Sequence, residues 1–329
     1  MMPMLNLLRK SFPEAEISFL CTDINHSIVK RLKSIDKVIN CGLYSFIEKP
    51  SLLYWFLKNI RQEEFDVVID AEQWSKVNSI LSIFFRKKYS IGFYTKNQHK
   101  HFIYDSIVHH TRYRHEVENF FALLNPLGIF PSAEDKKLTI DLPETELKFA
   151  DSFYDENKLK EKYVVCLQPG SGTSGFAREW KDENYIKLGN RLVNYNDNII
   201  VLLTGVRADF DRCEEITKGI GKNTMNIAGK YSMDKDLAII KKAKVVVCGN
   251  TGILHLAVGI GTKTIALHGP NNASIWGGYS KNSVVVQSDI FCSPCLYLGH
   301  DFGCKKPICM DRIGVDEVFL KLRSDFLKN

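Results

Sequence analysis

The sequence predicts an α/β protein made of two domains with parallel sheets. Short apolar runs of the kind found in buried strands alternate with amphipathic helical patterns, which is typical of parallel α/β layers. The 329 residues are about twice the length of an average domain. Hydrophobic residues make up 45% of the chain and charged residues 25%. This composition excludes a disordered, collagen-like or coiled-coil protein.

The first domain is predicted to span residues 1–155 and to lack its opening strand. It begins with a helical pattern over Met4–Ser11, whereas a doubly wound domain begins with a strand that lies in the middle of its sheet. We therefore expect a gap inside this sheet, caused by a truncated domain or a misplaced start. The next strand patterns are Glu16–Cys21, Lys37–Ile39, Asp66–Ile69 and Ser90–Phe93, and the helical patterns are Ile28–Lys33, Ser51–Gln62, Val77–Phe85 and His115–Leu127.

The second domain is predicted to span residues 156–329 and to be joined by a linker. This linker, Pro131–Lys162, contains prolines, a run of charges and one short strand pattern at Lys137–Ile140. The strand patterns beyond it are Tyr163–Leu167, Ile199–Thr204, Thr224–Asn226, Val245–Cys248, Thr264–His268 and Ser283–Val286. The helical patterns between them are Glu183–Tyr195, Asp209–Lys218, Met233–Lys241 and Ile253–Val258.

The net charge of +6 is unevenly distributed. The first domain has 20 basic and 20 acidic residues, and the second has 24 and 18. A basic second half favours an anionic ligand, but the excess is too small to indicate nucleic acid. Residues 76–114 form a basic island, with eight Lys or Arg against one acid, Asp105. That island fits an anionic acceptor, an anionic membrane surface or an ordinary solvated surface.

Membrane spans and secretory signals are absent from the sequence pattern. No apolar run reaches the roughly 18 residues that cross a bilayer, and the N-terminus has no signal-peptide pattern. We expect a cytoplasmic protein. The aromatic run Leu53–Leu57 is attributed to core packing of an amphipathic helix rather than to a membrane interface. Five cysteines in apolar contexts are predicted to be buried thiols: Cys21, Cys41, Cys166, Cys213 and Cys248.

The strongest chemical motif is the turn after the strand pattern Val245–Cys248. Asn250 and Thr251 are suited to capping the helix that begins at Gly252, and His255 lies in its first turn. The N–H groups and positive dipole end of such a helix favour a diphosphate at the carboxyl edge of the sheet. Taken alone, His255 is more often a hydrogen-bonded core histidine.

A second motif follows the strand pattern Tyr163–Leu167. Gly170 and Ser171 begin a loop of small residues that extends to residue 175, and Arg178 comes shortly after it. Small residues let a backbone approach a phosphate, hydroxyl groups donate to it, and an arginine binds it with two hydrogen bonds. The motif lacks the Gly-Lys-Ser/Thr ending of a Walker P-loop. A flexible surface loop is the alternative.

Together these segments resemble glycosyltransferase family nine, the bacterial heptosyltransferases of lipopolysaccharide assembly. Leu167–Ser171 is similar to the family's His-Pro-Gly-Ser segment, with Gln168 in place of His. Arg178 stands where the family has a phosphate-binding Lys, and Asn250–His255 is similar to its Asp/Asn-[Ser/Thr]-Gly-x-x-His signature. Further similar segments are Phe12–Ile17, Phe65–Asp70, Ile91–Phe93, Leu203–Gly205 and Gly269–Pro270.

The resemblance implies the GT-B architecture, in which two Rossmann-like domains face each other across a cleft. It implies that the second domain holds a nucleotide sugar, ADP-heptose, and the first an anionic glycolipid acceptor of the lipopolysaccharide core, with peripheral contact to the inner membrane. It also implies metal-independent transfer with inversion. The implied donor-binding residues are Gly170, Ser171, Arg178, Gly205, Asn250, Thr251, Gly252 and His255. Asn250 replaces a frequent Asp of the family, which leaves the donor sugar open.

The catalytic base is not identified by the sequence. In the family, the missing first strand leads to a Gly-Asp loop whose Asp is the proposed base. Asp70 and Glu72 are weak substitutes, and strand-end capping is the favoured interpretation of both. Two alternatives to transfer therefore stay open: a non-catalytic relative that binds sugar nucleotides or glycans, and a GT-B sugar-nucleotide epimerase.

Four cysteines crowd near the end of the chain, at Cys292, Cys295, Cys304 and Cys309. Four thiolates with one C-x2-C pair are able to form a structural zinc site in a reducing compartment. The second spacing is not that of a zinc ribbon, so reduced thiols and a disulfide stay open as alternatives. The transfer reaction itself is expected to need no cofactor.

Overall fold

A computed structural model describes residues 1–42, 46, 48–172, 176–296, 304 and 307–327. The chain divides into two compact units, Met1–Lys137 and Leu138–Asn329. This division lies eighteen residues before the boundary that the sequence suggested after residue 155. The difference arises because Ala150, Phe153 and Tyr154 are buried in the core of the second unit. We refer to the two parts as unit 1 and unit 2.

Unit 1 contains two parallel sheets. One pairs β1 with β2, and the other has the order β3-β4-β5. Among the described residues no strand pairing connects these two sheets, in line with the gap expected from the helical start of the chain. The fifth strand was not predicted. The strands are β1 Ser18–Cys21, β2 Lys37–Asn40, β3 Glu64–Asp70, β4 Arg86–Tyr94 and β5 Ser106–His109; the helices are α1 Met2–Ser11, α2 Asp23–Val29, α3 Pro50–Ile60, α4 Lys76–Ile83 and α5 Glu116–Ala122.

The core of unit 1 forms between α1 and β4. Met4 and Leu5 of α1 are buried, and Leu8, one turn later on the same side of the helix, packs against the same cluster. Ile91 and Phe93 of β4 are fully buried in it. The helix that opens the chain therefore contributes to the hydrophobic core rather than forming a surface extension.

Unit 2 contains one parallel sheet with the strand order β11-β10-β9-β6-β7-β8. All six of its strands were predicted, with bounds that differ by one residue at most. The strands are β6 Tyr163–Gln168, β7 Ile199–Leu203, β8 Thr224–Asn226, β9 Val245–Gly249, β10 Thr264–His268 and β11 Ser283–Gln287. The helices are α6 Glu144–Glu156, α7 Asp182–Tyr195, α8 Phe210–Ile220, α9 Met233–Lys242, α10 Gly252–Gly259, α11 Ala273–Trp276, α12 Ile308–Asp311 and α13 Val315–Asp325.

The inner strands of unit 2 are buried on both faces. Val165 and Leu167 of β6 belong to one apolar cluster, whereas Val164 and Cys166 belong to the cluster on the opposite face. Strands covered by helices on both sides need apolar residues at every position. This explains why the second half of the sequence contains continuous apolar runs and why they were easy to recognise.

The linker strand predicted at Lys137–Ile140 was wrong. The segment has no regular secondary structure, and the Ile140 N–H donates to the Gly259 carbonyl at 2.8 Å. The Ile140 side chain lies against Gly259, where an added Cβ would be 2.5 Å from its Cδ1. One hydrogen bond and close packing hold the segment on unit 2 without a strand pairing.

The five cysteines predicted to be buried thiols, Cys21, Cys41, Cys166, Cys213 and Cys248, are buried and unpaired. Within the described part of the chain, none of the helices combines the length and the apolar character needed to cross a lipid bilayer.

Candidate functional site

The strand order of unit 2 places its candidate site at the carboxyl ends of β6 and β9. The chain proceeds from β6 outward to β8, then returns to pair β9 with the other edge of β6. Helices and loops that leave β6 and β9 diverge at this point, which creates a crevice where open α/β sheets bind their ligands. Both sequence motifs follow these two strands.

Arg178 and Asn250 bring the two motifs into contact. Nη1 of Arg178 donates to the main-chain carbonyl of Asn250 at 3.4 Å. The Arg178 carbonyl also lies 3.0 Å from the position that a Cβ on Gly249 would occupy, so the loop after β6 packs tightly on the end of β9. Arg178 is half-buried, and burial lowers the pKa of its guanidinium. An arginine remains charged at neutral pH, so a cation is held at the crevice.

The N-terminus of α10 lies beside this cation. Thr251 is its N-cap residue and Gly252 its first helical residue. In the described structure the Thr251 side chain makes no capping hydrogen bond, contrary to the expectation that it would cap. Asn250 is buried, and no described residue accepts a hydrogen bond from its Nδ2. His255 is half-buried in the first turn.

The Ser171 side chain forms its hydrogen bond with Glu179. Its hydroxyl donates to Oε1 of Glu179 at 2.6 Å, and Nη1 of Arg212 donates to the other oxygen of Glu179 at 3.0 Å. The single hydroxyl proton of Ser171 is therefore committed to this network. Donation to a phosphate would require the hydroxyl to rotate away from Glu179. The remaining loop residues, 173–175, lie outside the described part of the chain.

The Asp209 side chain packs closely against Gly170 and Gly205 at the carboxyl edge of the unit 2 sheet. A Cβ on Gly170 would lie 2.5 Å from the Asp209 carboxylate oxygens, and a Cβ on Gly205 would lie 2.8 Å from Oδ2. The Val206 N–H donates to Oδ2 at 2.9 Å. The two glycines thus leave the room that this carboxylate occupies. Asp209 belongs to neither sequence motif, although an acid at a helix start just after a strand is a recognisable signal.

His268 is a second residue that the sequence analysis overlooked. It ends β10 and is fully buried. Burial lowers its pKa from 6.5 to about 4, with a smaller opposing contribution from the backbone of Asn271. Leu267 pairs with Gly249, so His268, the last residue of β10, and Asn250, the first residue after β9, are the next residues along these two neighbouring parallel strands.

The buried His268 is expected to make unit 2 less stable in mild acid. Well above pH 6.5, the ordinary pKa of histidine, the imidazole is neutral in both states and has no effect. As the pH falls from 6.5 to 4, the unfolded chain binds a proton that the folded unit does not. The free energy of unfolding should decrease by up to roughly 3 kcal/mol across this window. Urea unfolding between pH 7.5 and 4.5 measures this dependence.

The matched control for this pH dependence is His268→Gln, which titrates nowhere in the window. Carboxylates contribute equally to both proteins, so the difference between their pH profiles isolates the imidazole. Identical slopes for the two proteins would contradict a depressed pKa at His268.

The two carboxylates considered as a base in unit 1 have structural partners. Asp70 is buried and accepts hydrogen bonds from the Tyr104 hydroxyl, and from Ser79 Oγ at 3.1 Å. Glu72 accepts from the Trp74 and Ser75 N–H groups at 3.0 and 3.1 Å. Both carboxylates thus stabilise the turn after β3, which agrees with the strand-end interpretation favoured by the sequence.

The basic island at residues 76–114 is not a uniform positive surface. Lys100 is buried with its Nζ 3.7 Å from Asp70 Oδ2. Lys88 pairs with Asp66 at 2.7 Å, and Arg114 donates to Asn119 Oδ1 at 2.7 Å. Several charges of the island therefore support the fold of unit 1 itself.

The cysteine cluster provides no metal site in the described part of the chain, where no group of three or more His, Cys, Asp or Glu has suitable geometry. Cys309 is buried, and burial raises the pKa of its thiol. Cys292, Cys295 and Cys304 are exposed. Zinc binding by these four cysteines therefore stays a prediction from their spacing, and we assign no chemical step to a metal.

Known proteins resemble this chain in sequence and in fold. The family model for glycosyltransferase family 9 (heptosyltransferase) matches residues 54–306. Lipopolysaccharide core heptosyltransferase OpsX of Haemophilus influenzae is 25% identical over 240 residues. That alignment covers 72% of this chain and 66% of OpsX, so it spans slightly less than two thirds of the relative.

Two solved structures show the same fold. The glycosyl transferase family 9 protein of Veillonella parvula superposes with a TM-score of 0.79 at 17% identity, covering 100% of this chain and 93% of that one. The E. coli heptosyltransferase WaaC, solved with ADP-2-deoxy-2-fluoro heptose, gives 0.72 at 15% identity, covering 98% and 94%. At these identities the likeness establishes the fold alone, the GT-B fold with its parallel α/β domains.

Proposed function

This chain belongs to glycosyltransferase family 9 (heptosyltransferase), and from that membership we propose that it transfers a heptose from ADP-heptose to an acceptor of the lipopolysaccharide core. The sugar nucleotide binds to unit 2, at the carboxyl ends of β6 and β9. The reaction proceeds with inversion and needs no metal cofactor. The acceptor is an anionic glycolipid bound through unit 1.

The observation that carries the proposal is the contact between Arg178 and the end of β9. It brings a half-buried cation to within 3.4 Å of the residue that precedes the cap of α10. A guanidinium beside a helix N-terminus is a combined site for a diphosphate, because both favour negative charge. The printed descriptions of the relatives support the ligand: WaaC was solved with an ADP-heptose analogue, and OpsX is a core heptosyltransferase.

The same groups would assist the chemical step. In an inverting transfer, the acceptor hydroxyl oxygen forms a bond to the anomeric carbon while the bond from that carbon to the diphosphate breaks. Negative charge accumulates on the departing ADP, and Arg178 together with the N–H groups of α10 stabilises it. The hydroxyl proton must pass to a base. Asp70 and Glu72 are engaged in structural hydrogen bonds, so we assign this role to neither.

Calorimetric titration with ADP, ADP-heptose and UDP-glucose tests the donor assignment. We expect ADP and ADP-heptose to bind to the full chain, and UDP-glucose to bind at least about tenfold more weakly, a difference of 1.4 kcal/mol. Failure of every sugar nucleotide to bind would overturn the proposal. Preference for UDP-glucose would retain a nucleotide site and refute the donor.

Turnover separates the transferase from the two alternatives left open by the sequence. Release of ADP from ADP-heptose should depend on an added lipopolysaccharide-core acceptor lacking heptose. Conversion of the donor sugar without acceptor would indicate an epimerase. Tight donor binding with no ADP release at any acceptor concentration would indicate a non-catalytic binding protein.

A further inference from the structure

Glu179 places a carboxylate in the loop that carries the candidate donor site. It stands directly between Arg178 and Trp180 in the chain, and its Oε1 accepts the hydrogen bond of the Ser171 hydroxyl at 2.6 Å. Arg178 and Ser171 both belong to the loop that is expected to bind the diphosphate. A carboxylate beside such a site opposes binding, because it carries the same charge as the phosphates. The proposed site therefore requires a group that offsets the charge of Glu179.

Arg212 of α8 supplies the opposite charge. Its Nη1 donates to Oε2 of Glu179 at 3.0 Å, and its Nε donates to Oδ1 of Asp182, the first residue of α7, at 2.8 Å. Its Nη2 donates to the Trp180 carbonyl at 3.4 Å. Arg212 thus binds three residues of the segment that follows Arg178, although it lies 30 to 33 residues further along the chain.

The surroundings of Arg212 favour a persistent ion pair. The side chain of Arg212 is 24% exposed and that of Glu179 is 28% exposed, so water competes for their hydrogen bonds less than at an open surface. Burial alone would lower the pKa of the Arg212 guanidinium. The hydrogen bond to Asp182 and the charges of Asp182 and Glu179 outweigh burial, and the net effect raises this pKa. The guanidinium is therefore a permanent cation at neutral pH.

The partners of Glu179 determine what Arg178 is able to bind. With Arg212 in place, one oxygen of Glu179 is bound to Arg212 and the other to Ser171. Arg178 meanwhile contacts the Asn250 carbonyl at the end of β9. Without Arg212, the cation next to Glu179 in sequence is Arg178 itself. A pairing between these two neighbours would withdraw the Arg178 guanidinium from a phosphate.

We propose that Arg212 is a positioning residue of the donor site, which holds Glu179 so that its carboxylate neither repels the diphosphate nor captures Arg178. The inference rests on the proposed function, because it takes the diphosphate to bind at Arg178. Arg212 acts through Glu179 and not by contact with the donor. The effect of losing Arg212 therefore comes from the charge of Glu179, and it disappears when that charge is removed as well.

Calorimetric titration of the full chain with ADP tests this dependence. Arg212→Met removes the cation and keeps much of the side-chain volume. It should weaken ADP binding by at least about tenfold, because Glu179 is left unpaired beside the site. Adding Glu179→Gln to Arg212→Met should restore the affinity to within about threefold of the unaltered protein. Normal ADP binding by Arg212→Met, or a double variant that stays weak, would overturn the proposal.

Asp182 provides the matched control, because Arg212 pairs with it as well. Arg212→Met combined with Asp182→Asn also removes one negative charge but leaves that of Glu179, so ADP binding should stay weak. A purely structural role of Arg212 predicts that neither second substitution restores binding, since the hydrogen bond to the Trp180 carbonyl is lost in both double variants. Equal restoration by both would attribute the effect to net charge and refute the assignment to Glu179.

Two further measurements separate this inference from the proposed function and from misfolding. Arg191→Met removes an arginine of α7 that pairs with Asp316 and should leave ADP affinity within about twofold. Every variant should retain the circular dichroism of the unaltered chain. Failure of the unaltered chain to bind ADP would refute the donor site itself. Normal binding by both the unaltered chain and Arg212→Met would refute only the positioning role of Arg212.

Discussion

Replacing Arg178 by alanine should weaken ADP binding by about 1.5–3 kcal/mol, or roughly 10- to 150-fold. The arginine is the charged group that the structure brings to the end of β9, where it contacts the Asn250 carbonyl at 3.4 Å. A half-buried guanidinium makes stronger hydrogen bonds to a diphosphate than an exposed one, since less water competes. Calorimetric titration of the variant with ADP measures the loss.

Two further variants make the Arg178 result specific. Arg178→Lys should bind ADP with intermediate affinity, because lysine keeps the positive charge but cannot form the bidentate hydrogen bonds of a guanidinium. Arg323→Ala removes an exposed arginine from α13 and should leave ADP affinity within twofold. If Arg178→Ala binds ADP as tightly as the unaltered chain, Arg178 is not part of the donor site.

Replacing Trp180 by alanine should lower the free energy of unfolding of unit 2 by about 3–5 kcal/mol. The indole is 1% exposed, and its Nε1 donates to the Ile313 carbonyl at 3.0 Å. Its ring also packs edge-to-face on Tyr185, with centroids 5.1 Å apart. The substitution creates a cavity and leaves a buried carbonyl without its donor.

Urea unfolding monitored by circular dichroism measures this loss. Because the chain has two units, the unfolding curve is fitted with two transitions. Only the transition of unit 2 should move to lower urea concentration. Trp55→Ala serves as the matched control: this indole is 53% exposed, so the change in stability should be within about 0.5 kcal/mol. Equal effects of the two substitutions would contradict the assignment of Trp180 to the core.

Substitutions in the loop that carries Arg178 and Trp180 separate donor binding from the stability of unit 2. Trp180 lies two residues beyond Arg178 and anchors the loop to the segment before α13 through Ile313. Trp180→Phe should retain most of the packing and lose only the hydrogen bond. We expect it to bind ADP with nearly normal affinity, whereas Arg178→Ala should be fully stable and bind poorly. The opposite pattern would mean that Arg178 acts mainly through loop structure.

The strands of unit 2 could be predicted because their positions need no long-range information. Strands buried on both faces consist of continuous apolar runs, as in Val245–Cys248. β5 was missed because it is short, only partly buried and contains a histidine, Ser106–His109. Lys137–Ile140 was mistaken for a strand because alternation alone does not reveal whether a pairing partner exists.

The sequence by itself determined the fold class, the interrupted sheet of unit 1, and the two loops that carry the candidate site, because these depend on local patterns and on chain order. Tertiary structure decided which side chains meet. It placed Arg178 against Asn250, 72 residues apart, engaged Asp70 with Tyr104, and added Asp209 and His268 to the sheet edge. It also left Tyr54 and Trp55 exposed, so their assignment to core packing was wrong. A helical pattern shows that a face is apolar, but only packing against residues distant in sequence decides whether that face is covered.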